Sequence, residues 1–184
     1  MRNVVYVMNI SIDGNCDHTN FTPQEEIYEY FTNLFQDVDL IVDGRKSYQL
    51  MFPYWSDVAK NQSGTKGANE FAEAITRIDK IVISNTLHSV QGNARIVRES
   101  PGDVIRKLKQ QPGKKISVGG VSLRSQLMEL GLIDEFHFII HPVIAGEGKR
   151  MLEGINLPGK LNLTLVDAKA FKSGCVALHY TDKS

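Results

Sequence analysis

"SVGGVSL", residues 117–123, reads as the end of a β-strand, two adjacent glycines and the first turn of a helix. Glycine inside a regular element costs about 0.5–1 kcal/mol relative to alanine. Two at one strand-to-helix corner therefore imply that some group approaches the backbone more closely than a Cβ would allow. A phosphate meets that description, because a helix N-terminus offers free N–H groups and the positive end of its dipole.

Working outward, runs rich in β-branched and aromatic residues predict strands at 4–11, 38–44, 80–84, 94–97, 115–119 and 135–144. Helical patterns lie between most of them. The segment 23–35 has Thr22 as N-cap, Pro23 at its first position, and Ile27, Phe31, Leu34 and Phe35 on one face. Residues 100–111 repeat the pattern with Ser100 and Pro101, and 121–130 carries Leu123, Leu127 and Leu130 at helical spacing. Strands alternating with helices imply a parallel sheet covered on both faces, since parallel strands need crossover connections. From Leu161 the pattern changes to two strands joined by a turn at "KSG", an antiparallel hairpin. The expectation is a three-layer α/β fold: a mixed, mostly parallel sheet with helices on both faces, closed at one edge by the C-terminal hairpin. The polar, turn-rich stretch 56–69 reads as a mobile loop.

The 184 residues, 42% hydrophobic, suit one domain spanning 1–184. Twenty-one basic residues balance 21 acidic ones, so nothing draws the whole chain to nucleic acid or an anionic membrane. Cys16 and Cys175 lie outside any paired-cysteine or Cys/His spacing and read as reduced thiols. The N-terminal run is too short and too polar for a signal segment or membrane span, and a cytoplasmic location is expected.

A second corner of the same kind occurs at "DGRKSY", residues 43–48, where Arg45 and Lys46 add charge and Ser47 a hydroxyl for phosphate oxygens. Neither corner matches a standard phosphate fingerprint. The first strand leads into "SIDGNCD" rather than G-x-G-x-x-G, and "GTKG" at 64–67 lacks the P-loop spacing. His137 and His141 are four apart, but the segment is a strand, and with no third ligand nearby no metal site is expected. Trp55 reads either as a cover for a substrate pocket or as core.

Taken in order, "SIDG", "GRKSY", "VISNTL", the long block 117–152 and the closing hairpin resemble the dihydrofolate-reductase-like family. The likeness is strongest to the branch of the C-terminal reductase domain of bifunctional riboflavin-biosynthesis proteins. The resemblance implies an NADPH-dependent reductase, often homodimeric, acting on a small heterocyclic or ribosylamino-pyrimidine substrate; the branch reduces 5-amino-6-(5-phosphoribosylamino)uracil. It implies that Gly44, Arg45, Lys46 and Ser47 form a cofactor-phosphate turn. Gly119 and Gly120, followed by Val121, Ser122 and Leu123, would face the pyrophosphate. Ser84, Asn85 and Thr86 would approach the adenosine ribose, and Asn9 on the first strand is counted with the cofactor-binding set. Asn85 stands where NADPH-selective members commonly place a cation, so NADH is admitted beside NADPH. Ile27 falls near the place of the carboxylate that clamps a pterin in dihydrofolate reductases, and no pterin clamp is expected. Asp13 becomes the candidate catalytic residue, as proton donor or polar substrate contact, and Trp55 the candidate substrate contact. Two other readings stay open: a nucleotide-binding module of the same fold without reductase chemistry, and a flavin-binding protein.

Overall fold

The computed structural model of the chain describes residues 1–182. Its strands are β1 (Val4–Ser11), β2 (Val38–Gly44), β3 (Asp79–Ile83), β4 (Ala94–Val97), β5 (Lys115–Gly119), β6 (Glu135–His141), β7 (Leu163–Ala170) and β8 (Val176–Asp182). The helices are α1 (Glu25–Phe35), α2 (Arg45–Asn61), α3 (Lys66–Arg77), α4 (Pro101–Lys109) and α5 (Val121–Glu129). The eight strands form one sheet in the order β4-β3-β2-β5-β1-β6-β8-β7. Strands β1 to β6 pair in parallel, and the β7–β8 hairpin joins the β6 side antiparallel. This is the expected mixed sheet with its C-terminal hairpin. No helix of the described residues is long and apolar enough to cross a membrane.

Right-handed crossovers decide which face each helix covers. The chain moves one way along the sheet from β1 to β4, placing α1, α2 and α3 on one face, and returns through β5 to β6 with α4 and α5 on the other. Each face has its own core. Tyr6, Val42, Ile81, Ile105, Ile116, Leu127 and Phe136 pack on the α4–α5 side, while Ile27, Phe31, Trp55, Phe71, Ile75 and Ile139 pack on the α1–α3 side. Each such side chain contributes roughly 1.5–3 kcal/mol by leaving water.

Several local expectations are corrected. Helix α1 starts later than predicted, with Gln24 rather than Thr22 as N-cap and no side-chain cap bond. Its first acidic residues serve other segments: Glu25 accepts the Gly67 N–H at 2.6 Å, and Glu26 accepts those of Lys172 and Ser173 at 3.2 and 2.7 Å. The stretch 56–69 is mostly helical: α2 runs on to Asn61, and Thr65 caps α3 by accepting the Ala68 N–H. Phe71, Ala72 and Ile75 bury one face of α3, a helix the sequence reading passed over. Strand β6 ends at His141, short of the predicted 144, because Pro142 has no N–H to continue the ladder. The Ser100–Pro101 start of α4 is as predicted, with Ser100 accepting the Asp103 N–H at 3.3 Å.

Candidate functional site

In a parallel sheet a crevice opens at the carboxyl ends of neighbouring strands whose following helices leave to opposite faces. Strand β5 meets this condition on both sides, since α5 leaves to one face while α2 and α1, following its neighbours β2 and β1, leave to the other. The double glycine lies at that point.

Asp43 of β2 is in register with Gly119 of β5, so the two glycine corners sit side by side at the same end of the sheet. Gly120 is the N-cap of α5 with φ 88, a backbone conformation open to glycine and strained for other residues. A Cβ at Gly120 would stand 3.6 Å from the Gly44 nitrogen and 3.3 Å from the Ser47 Cβ. The N-termini of α2 and α5 therefore converge, with Gly44 the N-cap of α2. Arg45 and Lys46, on the first turn of α2, are exposed and have no ion-pair partner among the described residues.

The two glycines have separate reasons. A Cβ on Gly119 would collide with the Asp43 carboxylate and stand 3.1 Å from the Ser47 Oγ, so the space it leaves belongs to Asp43. Asp43 is buried and accepts a hydrogen bond from the Ser47 hydroxyl at 2.8 Å. Burial pushes its carboxyl above the ordinary range against the pull of Ser47, Arg124 and Lys80. Only Gly120, then, opens the corner to a ligand, and the Ser47 hydroxyl is already turned inward. Leu123 is in the core, which leaves the backbone and the exposed Ser122 hydroxyl as what the 121–123 turn can offer.

On the β3 side, Ser84 is buried and its Oγ accepts the N–H groups of Thr86 and Leu87 at 3.2 and 3.0 Å, setting the turn that exposes Asn85 and Thr86. Beside them lies a cation that the sequence reading missed. Arg98, just past β4, donates to the carbonyls of Ser84 and Leu87 at 3.0 and 3.1 Å and has no carboxylate partner among the described residues. Its only signal in the sequence was an arginine one residue beyond a short strand.

On the β1–β6 side, Asn9 Oδ1 meets His141 Nε2 at 2.9 Å, which puts the imidazole proton on Nε2 and leaves Nδ1 facing the Cys175 thiol at 3.5 Å. Phe21 stacks on the same ring with centroids 4.6 Å apart. Burial pushes the His141 pKa down, so the ring is neutral near neutral pH. Asp13 is committed to a neighbouring loop: its carboxylate accepts the Ser11 hydroxyl and the N–H groups of Ala145 and Gly146 at 3.0 and 2.9 Å. The Ser11 and Ala145 bonds lead in pushing it down to about 2. An ionised carboxylate with both oxygens occupied has no proton to give, which argues against Asp13 as an acid.

Trp55 is corrected outright. It is 8% exposed and packs edge-on against Phe71 at 4.8 Å and Tyr28 at 5.9 Å, within the α1–α3 core. Ile27 is fully buried in the same core, and the neighbouring Glu25 and Glu26 are bonded to backbone, so α1 presents no free carboxylate at the predicted clamp position. Surface cavities of about 450 and 490 Å³, one around Arg2, Asp39 and Lys80 and one around Phe52, Lys60 and Thr76, do not include these residues. The candidate site is an open edge, with Arg98 and Asn85 at one side, the paired helix N-termini at the middle, and His141 with Phe21 at the other.

The family model for the RibD C-terminal domain matches residues 2–177. "Uncharacterized protein YyaP" of Bacillus subtilis (strain 168) is 30% identical over 183 residues, covering 97% of this chain and 94% of its own. Among solved structures, a pyrimidine reductase-like protein from Corynebacterium diphtheriae superposes with a TM-score of 0.67 at 15% identity, covering 100% of this chain and 92% of its own. A diaminohydroxyphosphoribosylaminopyrimidine deaminase/5-amino-6-(5-phosphoribosylamino)uracil reductase from Thermotoga maritima superposes with a TM-score of 0.69 at 14% identity; the match covers 98% of this chain and 56% of that bifunctional one.

Proposed function

The chain belongs to the RibD C-terminal domain family, and from that premise we propose that it is an NADPH-dependent reductase of a small heterocyclic or ribosylamino-pyrimidine substrate. The observation that carries this reading is the convergence of the α2 and α5 N-termini, with Gly120 3.6 Å from Gly44 measured from the position of an absent Cβ. Two dipole ends and the free ammonium and guanidinium of Lys46 and Arg45 suit a diphosphate. A Cβ at Gly120 would intrude on the same space.

The order of groups along the edge suits a dinucleotide. With strands about 4.8 Å apart, the five spacings from β4 to β6 span about 24 Å, and the phosphate corners fall in the middle. Arg98 and Asn85 then face the adenosine side, where a cation favours a 2′-phosphate. His141, Asn9 and Phe21 face the reacting side. The chemistry a bound nicotinamide supplies is hydride donation. This chain's share is to fix distance, exclude water and manage a proton. Asn9 holds the neutral His141 in one tautomer, with the proton on Nε2, and Phe21 covers one ring face. Asp13 fastens the 145–146 loop over the end of β1.

The reading is tested by following NADPH absorbance with purified protein over a panel of pterins and ribosylamino-pyrimidines, beside a fluorescence titration of NADPH alone. Saturable binding with substrate-dependent oxidation supports it. Binding without oxidation of any of them favours the second reading, a nucleotide-binding module, to which the absent α1 carboxylate lends support. A failure to bind NADPH ends both.

A further inference from the structure

The pairing of β6 with β8 brings His179 opposite His137, two residues along from Glu135. These positions lie at the amino end of β6, where Glu135 is six residues or about 20 Å, and His137 four residues or about 13 Å, from His141 and the candidate site. Glu135 Oε2 stands 3.8 Å from His137 Nε2 and 3.4 Å from His179 Nε2, and the three ligand atoms lie within 4.8 Å of one another. We propose that Glu135, His137 and His179 form a binding site for a divalent first-row transition ion, for which zinc is the natural probe.

The first ground is an unmet demand. Both Nε2 atoms are buried and lack a hydrogen-bond partner among the described residues, and the His137 side chain is only 5% exposed. Buried polar atoms are nearly always paired, so two orphans aimed at one carboxylate point to a missing group. The second ground is how the ligands are held. The Tyr30 hydroxyl meets His137 Nδ1 at 2.8 Å, which turns Nε2 toward Glu135, and Asn3 Nδ2 donates to Glu135 Oε1 at 2.8 Å, which leaves Oε2 facing the histidines. Supporting bonds of this kind are what orient metal-bound imidazoles and carboxylates.

The spacing suits such an ion. Bonds of about 2.0–2.1 Å in a tetrahedral arrangement place ligand atoms roughly 3.4 Å apart, against the 3.4 and 3.8 Å found. Two imidazoles and one carboxylate select zinc and its neighbours over magnesium or calcium, which prefer all-oxygen shells. Two adjustments accompany binding. The rings of His137 and His179 stack at 4.0 Å and 15°, and must fan apart to aim both nitrogens at one point; His179, 21% exposed, has the room. Lys115 Nζ, 2.9 Å from Glu135 Oε2, now supplies the positive charge there and must swing out, which its 30% exposure permits.

The test uses tag-free full-length protein, stripped with a chelator and titrated calorimetrically with zinc chloride. Cobalt chloride serves in parallel for its visible bands. The expected result is one ion per chain. His179→Ala should weaken binding by about 100-fold or more, and Tyr30→Phe, which removes the support behind His137, by about 10- to 100-fold. Lys115→Gln should tighten it, and replacing the exposed His18 should change nothing. Circular dichroism checks that each variant is folded. Wild-type protein that takes up neither ion stoichiometrically overturns the proposal, as does binding that survives His179→Ala undiminished. Should His179→Ala unfold, unchanged affinity in both Tyr30→Phe and Lys115→Gln overturns it instead.

Discussion

The carboxylate of Asp43 fills the space that a Cβ on Gly119 would occupy. The double glycine thus serves two masters, the first glycine a buried side chain of the neighbouring strand and the second the turn into α5.

That relationship makes Asp43 and Gly119 a coupled pair. Gly119→Ala should cost about 1–3 kcal/mol through overpacking. In an Asp43→Ser background the same substitution should cost less, because the obstructing carboxylate is gone. Denaturant melts of the four proteins in the cycle measure the coupling. Costs that simply add would show that the glycine is not there for Asp43.

On the proposed function, Arg98 would supply the cation that Asn85 does not. Replacing it with Gln should weaken NADPH binding by about tenfold or more while leaving NADH nearly unchanged, since a charged hydrogen bond is worth roughly 1.5–3 kcal/mol. Paired titrations with both nucleotides give the ratio. Equal losses for the two would assign Arg98 to holding the 84–87 turn alone.

Asp13 makes a pH signature. Its folded carboxyl lies at about 2, below the ordinary value of 3.8. A depressed acid contributes stability that is fully present above the unfolded value and is lost as pH falls through the folded one. Wild type should therefore lose stability relative to Asp13→Asn between about pH 4 and pH 2. Thermal melts of both proteins across that window read the difference, and parallel profiles would contradict the loop clasp.

Trp55 tests the corrected assignment. In the core, Trp55→Ala should cost about 3–5 kcal/mol of stability. Trp55→Phe, which keeps an aromatic ring against Phe71, should leave the KM for any substrate found unchanged. A raised KM in that variant would return Trp55 to the pocket.

What the sequence made legible was local. Strand β5, its glycine corner, the Ser100–Pro101 start of α4 and the C-terminal hairpin all announce themselves within a dozen residues. Most of what escaped depends on pairings across the chain. Asp43 meets Gly119 only because β2 lies beside β5, and His137 finds His179 only through an antiparallel pair 42 positions apart, whereas the pair visible in the sequence, His137 and His141, stays apart along one strand. Thr22 carries a good capping signal yet lies outside α1, whose first turn is instead set by Glu25 and Glu26 reaching the 67 and 172–173 backbone. The polar stretch 56–69 hid a helix start because Thr65 capping and the Phe71–Ile75 spacing lie at its far end.

The central claim is that the Gly44 and Gly120 corners cup the diphosphate of a redox dinucleotide. Fluorescence titration of NADPH into wild type, Arg45→Ala and Gly120→Asp tests it most directly. The account predicts micromolar or tighter binding by wild type, a clear loss in Arg45→Ala, whose exposed side chain leaves the fold untouched, and no measurable binding in folded Gly120→Asp. Unchanged affinity in both variants would contradict it.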